Sequence, residues 1–316
     1  MSVLGVSTVA LDVPDVEPGV AFYGRAGMEV EQTADGVLFR CPGQTRPAIT
    51  LRGGATSKRL AHIRLRADLS ELGAISDRIS GLGGALIPVP PGGDPEGLWL
   101  KDPNGMIIHL AEDEIPATLT PAPDFIINAP SRIRRINRSA MLPRDETPGV
   151  APLRLGHVLM FSPDVLRSVA FFTEALGMGL ADRSADVIAF MCSRQGSDHH
   201  VVAFAKSPGV GFHHASFQVE GPDEVGRAGA ALAASNDRGD WGLGRHTIGS
   251  NFFHYIQDPW GSWFEYYADI DYIADYSTWS PRDYDLQDSL ANWGPDLPHD
   301  FVTNYEIEPS RSPPIN

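Results

Sequence analysis

Histidines are unevenly distributed along this chain of 316 residues. The chain has 10 histidines, and its first 150 residues contain two of them, His62 and His109. Seven others lie within residues 157–254, namely His157, His199, His200, His213, His214, His246 and His254. Imidazole is a common metal ligand and the side chain best suited to proton transfer near neutral pH. This clustering indicates metal binding or acid–base chemistry in the second half of the chain.

Alternation along a β-strand separates the neighbours His213 and His214. Successive side chains of a strand point to opposite faces of the sheet. His214 then shares a polar face with Ser216 and Gln218, whereas His213 shares a mostly apolar face with Phe217. We predict that His214 faces a wet cavity and that His213 packs against a helix or lies at the surface.

A buried carboxylate is predicted in the last strand of the second half. Glu265 lies between Trp263 and Tyr267 on one strand face, where a lone carboxylate costs several kcal/mol unless it is paired or bound to a metal. His157 also lies in an apolar strand. Two imidazoles and one carboxylate with open positions form the facial triad typical of non-haem Fe(II) oxygenases. The sequence therefore predicts a metal site formed by His157, His214 and Glu265.

The strands that must position these ligands belong to a duplicated half-chain. STVALDVPDVEPGVAFY at residues 7–23 is repeated as GHVLMFSPDVLRSVAFF at residues 156–172. Further blocks match in the same order: LFRC with AFMC, LAHIRLRAD with FHHASFQVE, and KDPNGMIIHLAED with QDPWGSWFEYYAD. The first-half positions that match the metal ligands are Thr8, His62 and His109, and none is a carboxylate. We expect that one copy holds the metal.

Each half contains two strand-rich units with one helix apiece. Short alternating runs predict strands, and stretches with a period of about 3.6 residues predict helices, here over residues 69–82 and 222–234. A DPxG tetrapeptide predicts a tight turn before the last strand of each half. The sequence therefore predicts an α+β fold of tandem βαβββ modules, two per domain.

Composition limits the partners and the compartment. Lys and Arg total 25 against 40 Asp and Glu, so the formal charge is −15 and nucleic acid is not an expected partner. No run approaches the roughly 18 apolar residues of a membrane helix, and the N-terminus lacks the pattern of a secretory leader. Cys41 and Cys192 lie at matching repeat positions, where packing is a more ordinary role than a disulfide. We expect a soluble, cytoplasmic protein with no membrane partner.

The run GRHTIGSNFFHYIQDPWGSWFEYYADID, residues 244–271, carries a specific resemblance. Over residues 1–275 the chain resembles the type I extradiol ring-cleaving dioxygenases of the vicinal oxygen chelate superfamily, which also contains glyoxalases and bleomycin resistance proteins. The resemblance implies that each domain is an incomplete barrel with helices outside. It also implies Fe(II), or Mn(II) as in some members, on His157, His214 and Glu265, and a homo-oligomer.

The repeat and the composition divide the chain into domains at 1–115 and 151–275, a linker at 116–150 rich in Pro, Arg and Asn, and a tail at 276–316 rich in Pro, Asp and Trp. The resemblance implies that the first domain is metal-free and the second is catalytic and metal-binding, and it assigns further site residues. His246 and Tyr255 are implied to bind the substrate and transfer its protons, and His200 to assist the reaction of O2. His199 competes with His200 for that position, and the VAF run that follows favours His200. Trp263 is a further candidate for substrate contact.

The implied activity is extradiol cleavage of a catechol with O2 in aromatic degradation, in the EC 1.13.11 class, giving a ring-opened semialdehyde or acid. The tail LANWGPDLPHDFVTNYE resembles the branch with metapyrocatechases and a trihydroxytoluene oxygenase, which favours a single-ring substrate such as a trihydroxytoluene or a methyl- or chlorocatechol. One alternative is another metalloenzyme of the superfamily, either glyoxalase-like or a 4-hydroxyphenylpyruvate-type dioxygenase. The other is a non-catalytic ligand-binding protein. The ring bond that is cleaved, proximal or distal, stays open.

Overall fold

A computed structural model of the chain describes residues 2–68, 70, 72–113, 126–143 and 145–307. Residues 116–125 of the expected linker and 308–316 of the expected tail lie outside the described residues. Two eight-stranded sheets contain most of the strands, one in each half of the chain. Among the helices of the described segments, none combines the length and apolar character needed to span a bilayer.

The first sheet is formed by the first half of the chain. Its strands are β1 Ser2–Asp12, β2 Glu29–Thr33, β3 Gly36–Arg40, β4 Ile49–Arg52, β5 Arg59–Asp68, β6 Ala85–Leu86, β7 Leu98–Lys101 and β8 Ile107–Ala111. Helix α1 covers Glu17–Arg25 and helix α2 covers Leu72–Gly81. The strand order is β2-β3-β4-β1-β5-β8-β7-β6.

The second sheet is formed by the second half. Its strands are β9 Arg154–Ser162, β10 Gly179–Ser184, β11 Ile188–Cys192, β13 Val202–Lys206, β14 Gly211–Gln218, β15 Asp240–Arg245, β16 Phe252–Gln257 and β17 Trp263–Ala268. Helices α3 Val165–Glu174 and α4 Pro222–Ala234 accompany it. Strands β12 Ser197–Asp198 and β18 Tyr272–Ile273 pair separately, and 3-10 turns follow at Tyr276–Thr278 and Leu286–Asp288.

The two sheets have the same topology. The second has the order β10-β11-β13-β9-β14-β17-β16-β15, which repeats the first strand for strand. In each sheet the two middle strands are antiparallel, and each has a parallel neighbour on its other side. The predicted α+β fold of paired βαβββ modules is confirmed. Strands β9, β14 and β17, which carry the predicted metal ligands, are therefore adjacent.

Short polar motifs begin the helices and turns that frame the sheets. The carboxylate of Asp164, in the SPD motif, accepts a hydrogen bond from the Arg167 amide at 3.0 Å and begins α3. In the second DPxG turn, the Asp258 carboxylate accepts from the amides of Trp260 and Ser262 at 2.8 and 2.9 Å. This turn leads the chain from β16 into β17 and so determines where Glu265 lies.

One hydrophobic core joins the two halves. Helix α1 packs on the second half, where the Phe22 and Phe264 rings are 6.1 Å apart and the Tyr23 hydroxyl donates to Asp258 at 3.1 Å. A Cβ added at Gly19 would come within 2.7 Å of the Trp260 ring, so this close approach requires glycine. The second sheet is thus supported by an element of the first half.

Candidate active site

The predicted metal ligands meet because their strands are paired in register. Ser216 of β14 lies opposite His157 of β9 on one side and Glu265 of β17 on the other. His214 precedes Ser216 by two residues, which is one full repeat of a strand, and so it lies on the same face. The sequence prediction that these three side chains share one region of space agrees with this register.

The three candidate ligands form a compact, buried cluster. His157 Nε2 lies 3.2 Å from Glu265 Oε2, and His214 Nε2 lies 3.7 Å from the same oxygen. The potential ligand atoms all lie within 4.8 Å of one another. Donors placed about 2.1 Å from a single metal ion are separated by about 3 to 4 Å. The spacing therefore fits one ion held by three protein ligands.

The protonation states of the cluster also suit a divalent cation. Burial alone would raise the pKa of Glu265, but the hydrogen bond with His157 and the neighbouring imidazoles outweigh burial and hold that pKa well below its usual range. Burial lowers the pKa of His214 well below its ordinary value. A carboxylate and neutral imidazoles are the forms that bind metals. The donor set thus fits the metal that the family resemblance implies.

The prediction that His213 packs against a helix or lies at the surface is wrong. The pairing of β14 with β9 shifts register between Phe212 and His214, so that His213 lies in a bulge and strand alternation fails there. His213 is buried beside the cluster, with its Nδ1 2.6 Å from Nδ1 of His214 and its Nε2 2.7 Å from the carbonyl oxygen of Phe301.

This contact orients His214. The Phe301 carbonyl can only accept, so His213 carries its proton on Nε2 and accepts from the Nδ1–H of His214. That arrangement leaves Nε2 of His214 free to bind a metal, as hydrogen-bonded partners of ligating histidines commonly do. Burial lowers the pKa of His213 to about 4, which keeps its ring neutral.

His200, and not His199, lines the cavity in front of the cluster. The His200 ring lies 4.2 Å from that of His157, and burial lowers its pKa well below the ordinary value. His199 lies behind it, hydrogen-bonded to Asp182 at 2.8 Å. The geometry agrees with the preference for His200 that the VAF run suggested.

His246 and Tyr255 form a hydrogen-bonded pair at another wall of the cavity. His246 Nε2 lies 3.0 Å from the Tyr255 hydroxyl, and His246 Nδ1 donates to the carbonyl of Leu290. Tyr255 lies opposite Glu265 in the pairing of β16 with β17. Burial, reinforced by the Glu265 charge, raises the pKa of Tyr255 well above its ordinary value. Tyr255 is therefore a neutral phenol that donates to His246.

The tail brings residues to the cavity that sequence reasoning missed. Leu290, Phe301 and Val302 line the cavity together with apolar residues of the sheet, namely Leu159, Ile188, Phe190, Ala205 and Ile248. Their apolar character within a largely polar tail was the available signal, but nothing in the tail sequence indicates which wall of the cavity they reach.

Other candidates lie away from the cavity. Trp263 does not line it: its indole N–H donates to the Phe301 carbonyl at 3.2 Å, and its ring contacts that of Phe301. His254 is buried but points away from the cavity and bonds to Asp240 at 2.9 Å, and His299 is exposed. Phe301 lies in the cavity and contacts the Trp263 ring, so the predicted contact of Trp263 with substrate is not supported by this geometry.

Comparisons with known proteins agree with the fold and the cluster. The family model "Glyoxalase/Bleomycin resistance protein/Dioxygenase superfamily" matches residues 154–266. Metapyrocatechase 2 of Cupriavidus necator is 37% identical over 305 residues, covering 96% of this chain and 93% of that protein. The 3-methylcatechol 2,3-dioxygenase of Pseudomonas putida is 35% identical over 122 residues, covering 35% of this chain and 40% of that protein.

A solved structure extends the fold comparison to the whole chain. An extradiol ring-cleaving dioxygenase from Brevibacterium fuscum superposes with a TM-score of 0.73 at 20% identity, covering 96% of this chain and 82% of that one. These relatives imply a catalytic metal. The full-length similarity, the shared fold and the buried cluster together lead to one conclusion: the chain belongs to the extradiol ring-cleaving dioxygenases of the glyoxalase/bleomycin resistance/dioxygenase superfamily.

Proposed function

We propose that this enzyme cleaves a substituted single-ring catechol with O2, using Fe(II) held by His157, His214 and Glu265. The observation that carries the proposal is that this buried cluster opens onto the same cavity as His200, His246 and Tyr255. A metal site without acid–base groups would suit many reactions. The combination suits one in which a bound diol loses protons and oxygen receives them.

The bound metal supplies Lewis acidity that lowers the pKa of the catechol hydroxyls and a place where catechol and O2 meet. The chain's own residues handle the protons. His246 has Nδ1–H committed to the Leu290 carbonyl, so its Nε2 is the atom that accepts a proton from a catechol hydroxyl. Tyr255 then donates its O–H to the deprotonated oxygen. His200, neutral and buried, accepts or returns a proton on the O2 side.

The cavity walls favour an apolar ring of modest size. Leu159, Ile188, Phe190, Ile248 and Leu290 surround the polar cluster. A methyl or chloro substituent can be buried against them at a gain of about 0.8 kcal/mol per methyl-sized group, whereas an additional hydroxyl finds few partners there. We therefore favour a methyl- or chlorocatechol over a trihydroxytoluene. The relatives named for metapyrocatechase and 3-methylcatechol activities support this class.

We further propose that residues 1–115 form a domain without a metal and residues 151–275 the catalytic domain, followed by a tail at 276–316 whose described part, residues 276–307, closes the cavity. The tail contacts at His213 and His246 support that role. Following the family resemblance, we also propose that the protein is a homo-oligomer. The molecular mass of the native protein in solution would test this.

The test combines metal analysis with a substrate panel. Protein purified without oxygen should hold about one Fe per chain. It should consume O2 and form the yellow ring-fission chromophore with catechol, 3-methylcatechol or 4-chlorocatechol, and the product spectrum identifies the bond cleaved. His214→Ala should lose iron and activity, while His299→Ala, an exposed histidine, should retain both. Protein that holds only zinc, or Fe-loaded protein inert towards every catechol, would contradict the proposal.

A further inference from the structure

A chain of buried polar groups lies behind His200. Asp182, on β10, is 2% exposed, and its Oδ2 lies 2.8 Å from Nε2 of His199. Nδ1 of His199 lies in turn 3.1 Å from Nδ1 of His200. His199 and His200 are 1% and 4% exposed. Three adjacent buried groups are thus linked in a line that ends at the cavity.

The tail holds the far end of this line. The backbone N–H of Arg282 donates to the other oxygen of Asp182 at 2.6 Å. The Trp279 indole donates to the Ala181 carbonyl at 2.8 Å, and its ring lies 5.5 Å from that of His199. Both oxygens of the Asp182 carboxylate therefore have a partner, and the carboxylate cannot rotate without breaking one of these hydrogen bonds.

The hydrogen bonds assign the protons along the line when both rings are neutral. A carboxylate only accepts, so Nε2 of His199 carries its proton and Nδ1 of His199 is an acceptor. His200 must then donate from Nδ1, which leaves the lone pair of its Nε2 for the cavity. The reverse tautomer of His200 would place the lone pairs of the two Nδ1 atoms against each other.

We propose that Asp182 and His199 are positioning residues, which hold His200 in the tautomer whose Nε2 is a proton acceptor on the cavity side. The inference rests on the proposed role of His200 in the O2 reaction. When Nε2 of His200 takes up a proton, the line of acceptors behind it stabilises the new charge, as the buried aspartate does for the histidine of a Ser-His-Asp triad.

An isosteric substitution at Asp182 should reverse the direction of each hydrogen bond between Asp182, His199 and His200. In Asp182→Asn the amide oxygen keeps the hydrogen bond from the Arg282 N–H, so the amide NH2 faces His199. His199 must then accept at Nε2 and donate from Nδ1, which moves the proton of His200 to Nε2. We expect kcat to fall at least about tenfold, within the about 10²- to 10⁴-fold range of acid–base catalysis. Iron content and the anaerobic affinity for 4-nitrocatechol should stay within about twofold, since neither depends on this tautomer.

The matched control lies on the same hairpin. Asp186 is an exposed aspartate between β10 and β11, paired with Lys206. Asp186→Asn removes the same charge without touching His199, and it should keep the wild-type kcat. Equal losses in the two variants would show that the effect is one of net charge and would overturn the inference.

The tautomer itself is the direct measurement. In protein labelled with 15N-histidine and loaded with diamagnetic Zn(II), long-range 1H–15N spectra distinguish a protonated Nδ1 from a protonated Nε2. His200→Asn assigns the signals. We expect His200 with the proton on Nδ1 in the wild type and on Nε2 in Asp182→Asn. A proton on Nε2 in the wild type, or the same tautomer in both proteins, would overturn the inference.

Two His199 variants keep the question answerable if Asp182→Asn does not fold. The amide oxygen of His199→Asn replaces the acceptor at Nδ1, whereas the amide of His199→Gln reaches only towards Asp182. The Asn variant should retain more of kcat than the Gln variant, and equal losses would count against a positioning role. If the wild type cleaves no catechol, the proposed function fails; if His200→Asn slows catalysis but Asp182→Asn does not, this inference alone fails.

Discussion

Three equivalent strand positions in the two sheets carry side chains of opposite charge: a buried cation in the first sheet and a buried carboxylate in the second. In the second half, His157, Ser216 and Glu265 lie side by side on three paired strands. The equivalent residues of the first half are Thr8, Arg64 and His109. His62, two residues before Arg64, matches His214. A serine in the middle strand of one sheet is therefore an arginine in the other.

In the first half, the guanidinium of Arg64 itself occupies the position that corresponds to the metal site. Its guanidinium donates to both oxygens of Asp113 at 2.7 and 2.8 Å and to Asp94 at 2.7 Å. It also lies 3.1 Å from Nδ1 of His109, whose ring stacks on Trp99 with a centroid distance of 4.2 Å. The pocket that a metal would need is filled with a charge already balanced by carboxylates.

The second half has the complementary arrangement. Glu265 brings a buried carboxylate that accepts a hydrogen bond from Ser216, and burial lowers the pKa values of His200 and His214 in the same site. A buried charge without a full partner is costly, so this site favours a cation from solution. The same arrangement of three strands therefore supports an ion pair in one half and a candidate metal site in the other. The difference lies in two strand positions, which hold Arg64 and His109 in the first half and Ser216 and Glu265 in the second.

Removal of the second-half carboxylate should have the largest effect. Glu265→Gln keeps the shape of the side chain but removes the charge, so we expect iron affinity to fall more than about 100-fold and ring cleavage to become undetectable. Iron content after dialysis and O2 uptake are the measurements. A Gln variant that holds iron as the wild type does would break the comparison, because charge would then not decide what the site binds.

Removal of the first-half arginine should affect stability and not catalysis. Arg64→Ser leaves the buried Asp113 with Arg46 as its remaining arginine partner, and we expect a loss of about 1–3 kcal/mol in the free energy of unfolding. Iron per chain and kcat of the folded protein should be unchanged. Denaturant titration measures the loss, with Arg59→Ser, an exposed arginine of the same strand, as the control. If Arg64→Ser lost iron but kept its stability, the assignment of Arg64 to stability and not to metal binding would be wrong.

Loss of the imidazole that orients His214 should have an intermediate effect. His213→Ala removes the hydrogen bond to Nδ1 of His214, and iron affinity should fall about 10- to 100-fold, as for other partners of metal-binding histidines. Competition with a chelator measures this affinity. His254→Ala is the control, since His254 is also buried but bonds to Asp240 outside the cavity. If both variants bound iron as tightly as the wild type, His213 would have no role in orienting His214.

The last prediction is a pH dependence of stability in the first half. Burial, assisted by the charge of His109, lowers the pKa of His62 to about 3 from 6.5. The unfolded chain therefore binds one more proton than the folded chain between these values, and stability falls as pH decreases from 6.5 towards 3, by up to about 1.4 kcal/mol per unit. His62→Asn should flatten the curve of unfolding free energy against pH, whereas His299→Asn should not. Identical curves would contradict this prediction.

The sequence by itself determined the duplication, the order of the modules and the candidate metal-ligand set. These features depend on local patterns, since alternation specifies a strand face and repeated blocks specify equivalent positions. The predicted helix over residues 222–234 coincides with α4 for the same reason. Ligands such as His157, His214 and Glu265 were accessible because each lies in a regular strand of a repeated unit.

Only the tertiary structure decided which groups stand around those ligands. The bulge at His213 breaks the alternation on which its prediction depended. Arg282 reaches Asp182 across 100 residues of sequence, and Phe301 reaches His213 across 88. The proton positions of the site histidines follow from these long-range hydrogen bonds, which leave no periodic trace in the sequence. Local sequence patterns identified the candidate ligands, and the packing of the tail against the second sheet decided the orientation of the histidines around them.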